Sequence, residues 1–212
     1  MGVSPVTLDD LSSGYNIDWN ISTDSRFNAM MGFSETEVRE MFRYYQENDA
    51  LPGDIEAMIA EMKPWYDNYC FARMSLGDDR VFNCDMTLYY LRSQFDFHRS
   101  PEEMVDKNIR TDYSKLKMLA RIDHDSAHEG SRMSTIEEIA AKGEILVNLH
   151  TSFPAERVAD VDNFRSLLYY YGLLTMCGTR GDRLRMCIPN HCVREQYFGF
   201  LREYYQQAHP LD

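Results

Sequence analysis

Apolar residues recur along this chain mostly at helical spacing. Val38, Met41, Phe42 and Tyr45 fall at i, i+3, i+4 and i+7, which predicts a helix from Ser34 to about Asn48 with one apolar stripe. Ser34 and Glu37 stand at capping-box spacing at its start. Pro52-Gly53 interrupts the chain, and Ile55, Met58, Ile59 and Met62 then repeat the pattern up to Pro64, where a kink or an end is expected. Two packed helices joined by a short loop follow from this. An aromatic stretch, WYDNYCFA (Trp65 to Ala72), leads to a polar tip at Leu76 to Asp79 and an extended pair, Val81-Phe82. Asp85 is placed to cap a helix carrying Leu88, Tyr89 and Leu91, and Pro101 to start another short one.

From Asp123 to Ser134 the chain is polar and without period, which reads as a loop and a boundary between subdomains. Beyond it, Thr135 and Glu138 predict a capped short helix ending at Gly143. Glu144 to Leu149 is a strand candidate, and a short helical piece follows Pro154. Phe164, Leu167, Leu168 and Tyr171 form a helical stripe stopped by Gly172, and are expected to face the core. Leu173 to Cys177 and Leu184 to Ile188 read as strands around GTRGDR, a hairpin signal. Asn190 caps a last helix with a stripe of Val193, Tyr197, Phe200, Leu201 and Tyr204. The predicted fold class is mainly α with small β content: a helical lid-like subdomain (1–122), a linker loop (123–134), then a winged-helix-like subdomain (135–212) whose hairpin is the wing.

In winged helices the helix before the hairpin is the one placed in the DNA major groove. Here that segment, VDNFRSLLYYYG, carries one basic residue, Arg165, beside Asp160 and Asp162. It is built to pack rather than to read bases. Arg180, Arg183 and Arg185 in the wing are the candidate nucleic-acid contacts. A net charge of −12 opposes non-specific binding to phosphates.

The 212 residues, 44% hydrophobic and 26% charged, describe an ordinary globular chain. No apolar run is long enough to span a membrane, and the first residues lack a signal peptide's basic and apolar blocks. Five cysteines in mostly apolar contexts, with no secretion signal, read as reduced packing residues of a cytoplasmic protein.

Chemistry-bearing motifs are few. There is no G-x-x-x-x-G-K-[ST], no GxGxxG and no G-x-S-x-G, so neither ATP hydrolysis nor any other catalysis is expected of the chain by itself. His124 and His128 stand four apart but in the polar loop, and Cys187, His191 and Cys192 in CIPNHC lack a second ligand pair. No metal site is expected. Asp9-Asp10 and Asp78-Asp79 are paired carboxylates at turns.

The chain opens on Val3 to Val6, a short strand pattern, followed by a Thr7–Asp10 capping pair. GVSPVTLDDLSSGYNI (Gly2 to Ile17), FNAMMGFSETEVREMF (Phe27 to Phe42), WYDNYCF (Trp65 to Phe71) and VFNCDMTLYYL (Val81 to Leu91) together resemble the bacterial AAA-ATPase-like proteins, with a weaker likeness over Arg185 to Leu201. That family combines a P-loop ATPase domain, a helical and winged-helix-like middle, and a PD-(D/E)XK nuclease-like domain. Its members tend to have Gly where Asn68 stands and Pro where Cys84 stands.

The resemblance implies that this chain is the middle part of such a protein, and that Val3 to Val6 is the last strand of the ATPase sheet. It implies Ser4 as a sensor of the nucleotide's γ-phosphate, with Asp9 and Asp10 at the same edge. ATP and Mg²⁺ are expected only with the P-loop domain. The implied function is a module coupling nucleotide state to the nuclease-like effector, with the protein's own ATPase-like and nuclease-like domains as partners. A nucleic-acid-binding winged-helix module and a protein-interaction scaffold are the alternatives.

Overall fold

The computed structural model describes residues 5–7, 21–48, 51–78, 80–106, 113–120, 126–158 and 160–208. It is mainly helical with small sheets. No helix among the described residues is long and apolar enough to cross a membrane. The chain divides into two compact units.

One unit comprises Ser22–Thr111 and Pro189–Val193. It holds β2 (Phe33–Ser34), α1 (Glu35–Glu47), α2 (Ile55–Tyr66), β3 (Val81–Phe82) and α3 (Cys84–Phe97); β1 lies in the other unit. The expected capping box starts α1: Ser34 Oγ accepts from the Glu37 amide, and Glu37 Oε2 accepts from the Ser34 amide at 2.7 Å. The predicted stripes of α1 and α2 meet, burying Val38, Phe42, Met58, Ile59 and Met62 with Tyr66, Met86, Tyr90 and Leu91. Phe42 stacks on Tyr90 at a centroid distance of 6.4 Å. Outside this core Arg39 bridges Glu35 and Glu56, and Lys63 pairs with Glu35 at 2.5 Å. Pro64 stands inside α2, which runs on to Tyr66.

Two expectations fail here for identifiable reasons. The cap of α3 is Asn83, whose side chain accepts from the Met86 amide; Asp85 lies within the first turn. Pro101 starts no helix. The carbonyls beyond it accept from tyrosine hydroxyls instead, Glu103 O from Tyr89 at 3.0 Å and Met104 O from Tyr66 at 2.7 Å. A helix would need those carbonyls for itself.

The second unit comprises Met1–Ile21, Asp112–Ile188 and Arg194–Asp212. Its elements are β1 (Val6–Thr7), α4 (Tyr113–Ala120), α5 (Ser126–Lys142), β4 (Glu144–Val147), β5 (Phe153–Pro154), α6 (Val161–Tyr170), β6 (Thr175–Arg180), β7 (Arg183–Cys187) and most of α7 (His191–Ala208). The stretch expected as a linker loop is helical from Ser126 onward. Its second half secures it, with Met133, Ile136 and Ile139 buried along one face. Thr135, expected as a cap, is buried in mid-helix. Gly143 ends the helix at φ 74, a left-handed conformation that suits glycine.

β4, β7 and β6 form an antiparallel sheet in the order β4-β7-β6. Phe164, Leu167 and Leu168 of α6 are buried as expected, whereas Tyr171 is only half-buried. Tyr197 of α7 is fully buried and its hydroxyl donates to Leu173 O at 3.3 Å. Leu201 and Tyr204 lie half-buried farther along α7. β1 pairs in parallel with β5, Val6 against Phe153, so this short strand has a partner within the chain.

Asp67, at the end of α2, is buried, and its Oδ1 has no hydrogen-bond partner among the described residues. Burial raises its carboxyl above the ordinary 3.8, against the opposing pull of the Asn68 amide. An acid raised by folding contributes stability below its unfolded value that is lost as pH rises through the folded one. Asp67→Asn should therefore be more stable than the parent at pH 7. The gain should vanish as the pH falls below 3.8, in chemical melts run across that range.

Leu168 is fully buried, so Leu168→Ala should cost roughly 2–5 kcal/mol in urea melts. Changing Arg180, Arg183 and Arg185 to Ala together should leave stability nearly unchanged, because all three are exposed.

Candidate functional site

The β6–β7 hairpin carries the predicted arginines. Its two-residue turn puts Gly181 at the first central position with φ 60, where a type II′ turn calls for glycine. Arg180 and Arg183 face each other across it, both exposed. Neither makes an ion pair among the described residues. Arg185 is engaged: one of its guanidinium nitrogens donates to Cys177 O at 3.3 Å, and Nε lies 3.8 Å from Glu144 on β4.

A β-bulge between Met176 and Gly178 sets what each face of the hairpin presents. Counting outward from the turn, Thr179 opposes Leu184 and Gly178 opposes Arg185. Without the bulge Cys177 would oppose Met186. With it, Met176 takes that place, and Met176 and Met186 are both buried. Cys177 is the extra residue. It is left half-buried with Cys187, Arg185 and Glu144 around it.

Those neighbours act on its thiol. A hydrogen bond from Cys187 and the positive charge and hydrogen bond of Arg185 together bring it down to about 7, against opposition from burial and Glu144. The Cys177 thiol also lies 3.3 Å from Arg185 O, to which it donates. By contrast, the Cys84 thiol is pushed up by burial and by the carboxylates of Asp85 and Glu37.

The sequence reading treated all five cysteines as packing residues. For Cys70 and Cys192, both buried, that describes their surroundings. Cys177, Cys187 and Glu144 carry no sequence signal that joins them into one site. Strand alternation puts Arg185 and Cys187 on one face of β7, but only the bulge brings Cys177 to them. Gly178, an unusual residue inside a strand, was the available signal for it.

The helix before the hairpin is committed to packing. In α6, Asn163, Phe164, Ser166, Leu167, Leu168 and Tyr169 are buried. Arg165 is ion-paired with Asp162 at 3.6 Å. Its polar groups are tied locally: Asn163 bonds the His150 ring and Arg157 O, and Ser166 Oγ bonds the His150 amide and Asp162 O.

Ser4, Asp9 and Asp10, the nucleotide-sensing candidates, lie outside the described residues, as do His124 and the side chain of His128. Among the described residues no three His, Cys, Asp or Glu side chains gather as metal ligands do. Comparisons of the chain with protein-family models, with curated proteins and with solved structures found no match.

Alkylation by iodoacetamide should single out Cys177. Its rate should be half-maximal near pH 7 and exceed that of Cys84 at the same pH. Because Arg185 stabilises the thiolate, Arg185→Ala should move the midpoint upward. Mass-spectrometric counting of labelled peptides over a pH series reads both effects.

Proposed function

We propose that the chain is a non-catalytic coupling module of a larger cytoplasmic AAA-ATPase-like protein. In this reading the helices of the Ser22–Thr111 unit serve as a lid. The unit containing β4, β6 and β7 is a winged-helix-like relay to a PD-(D/E)XK nuclease-like effector. ATP and Mg²⁺ belong to a P-loop domain elsewhere in that protein, since this sequence has no phosphate-binding loop. Ser4, Asp9 and Asp10 are the proposed sensors at its edge.

The observation that carries the choice of a coupling role over a reading role is the state of α6. Phe164, Leu167, Leu168 and Tyr169 are buried and Arg165, its one basic side chain, is paired with Asp162, which supports a helix that transmits force through packing and leaves little for a base edge. The order of helices and strands, with the outer strand β4 next to β7, supports a winged-helix-like unit.

Two positions support the family likeness itself. Asn68, where the family tends to have Gly, holds φ 84, a conformation glycine adopts without strain. Cys84, where the family tends to have Pro, is the first residue of α3, a position proline favours. Arg180 and Arg183, exposed at the hairpin tip, favour the second reading, a nucleic-acid contact through the wing.

Two titrations separate the readings. Duplex DNA added at low salt should show no tight binding, and changing Arg180, Arg183 and Arg185 to Ala should alter nothing. Each phosphate contact adds about 0.9 to the salt slope, so tight, steeply salt-dependent binding abolished by the arginine changes would establish the wing as a DNA reader. Mg-ATP should not be turned over. Turnover lost on changing Ser4 or Asp10 would overturn the non-catalytic reading. The coding sequence upstream of Met1 should encode a G-x-x-x-x-G-K-[ST] motif.

A further inference from the structure

Cys177 and Cys187 sit on adjacent strands, and the bulge turns Cys177 to the face where Cys187 lies. The bulge leaves Cys177 between the residues that oppose Cys187 and Arg185, and the Cys187 side chain is the strongest influence lowering the Cys177 thiol. Both are half-buried, so a small oxidant can reach them, whereas Cys70 and Cys192 are sealed in. From this geometry we propose that Cys177 and Cys187 form a reversible thiol–disulfide couple, in which Cys177 reacts with a peroxide and Cys187 resolves the product.

The surroundings fit each step. The Arg185 guanidinium is held beside Cys177 by its bond to the Cys177 carbonyl, where it stabilises a thiolate. The lowered Cys177 thiol is the expected consequence. Glu144, which opposes Cys187 across β4 and β7, holds Arg185 from the other side. A bulge locally disrupts the ladder and bends the strand, so β6 can yield as the sulfur atoms close to bonding distance.

The chemistry balances with hydrogen peroxide as oxidant. The Cys177 thiolate attacks one peroxide oxygen and the O–O bond breaks. Hydroxide leaves, and it takes up the proton the thiol gave up to become water. Sulfur now carries an OH group. The Cys187 thiolate attacks that sulfur, the S–O bond breaks, and a second hydroxide leaves as water with the Cys187 proton. Two thiols and one peroxide give one disulfide and two waters: each sulfur loses one electron, and the peroxide oxygens gain two. A dithiol reductant reverses the bond by exchange.

The test exposes the full chain to hydrogen peroxide at pH 7, then maps non-reduced tryptic peptides by mass spectrometry. Trypsin cuts after Arg180, Arg183 and Arg185, between the two cysteines, so a disulfide joins two otherwise separate peptides. The expected result is one cross-link, Cys177 to Cys187, two hydrogens lighter than the separate peptides and lost on adding dithiothreitol. In Cys187→Ser, dimedone should trap a sulfenic acid at Cys177. In Cys177→Ser, oxidation at Cys187 should slow by about 10-fold or more. Circular dichroism checks that both variants fold, and the parent's cross-link tests the pairing without either. A cross-link through Cys84, a disulfide between two molecules, or over-oxidation of Cys177 beside an unreacted Cys187 thiol would overturn the proposal.

Discussion

The bulge between Met176 and Gly178 is the constraint on which the hairpin and its chemistry depend. Strand side chains alternate between faces, so a slip of one residue exchanges every side chain between core and solvent. The bulge performs that slip once, halfway along β6. On the turn side, Arg180 and Arg183 pair at the exposed tip. On the far side, Met176 and Met186 oppose each other in the core, and Thr175 opposes Cys187. Cys177 is the residue left over, and it takes its surroundings from Arg185, Cys187 and Glu144. One inserted residue thus supplies both a packed inner face and a polar, thiol-bearing outer one.

The same unit answers where its helices direct their energy. α6 buries Phe164, Leu167 and Leu168 and ties Asn163 and Ser166 to the segment around His150. Burying an apolar side chain of this size contributes about 1.5–3 kcal/mol, and a half-exposed ion pair at 3.6 Å such as Arg165–Asp162 contributes on the order of 1 kcal/mol or less. Packing dominates this helix.

Local signals in the sequence carried much of the architecture. The Ser34–Glu37 box, the Asn190 cap, the stops at Gly143 and Gly172, and the turn at Gly181 all stand where residue chemistry put them. Where the reading failed, a tertiary partner decided. Tyr66 and Tyr89 claim the carbonyls of Met104 and Glu103 and leave residues 101–106 without a helix. Burial of Met133, Ile136 and Ile139 carries α5 back through a polar stretch that has no period of its own. Asn83 and Asp85 are both good caps, and the next turn's amides chose Asn83. The candidate thiol site was illegible for a related reason. A bulge has a weak local signature, here one glycine, yet it changes the neighbours of every residue beyond it.

Register is therefore the claim to test most directly. Cross-strand nuclear Overhauser effects in the isotope-labelled chain report which backbone protons face each other along β6 and β7. The bulged hairpin predicts contacts of Met176 with Met186 and of Thr175 with Cys187. Contacts of Cys177 with Met186 and of Met176 with Cys187 would show an unbulged hairpin and contradict this account of both the core and the thiol pair.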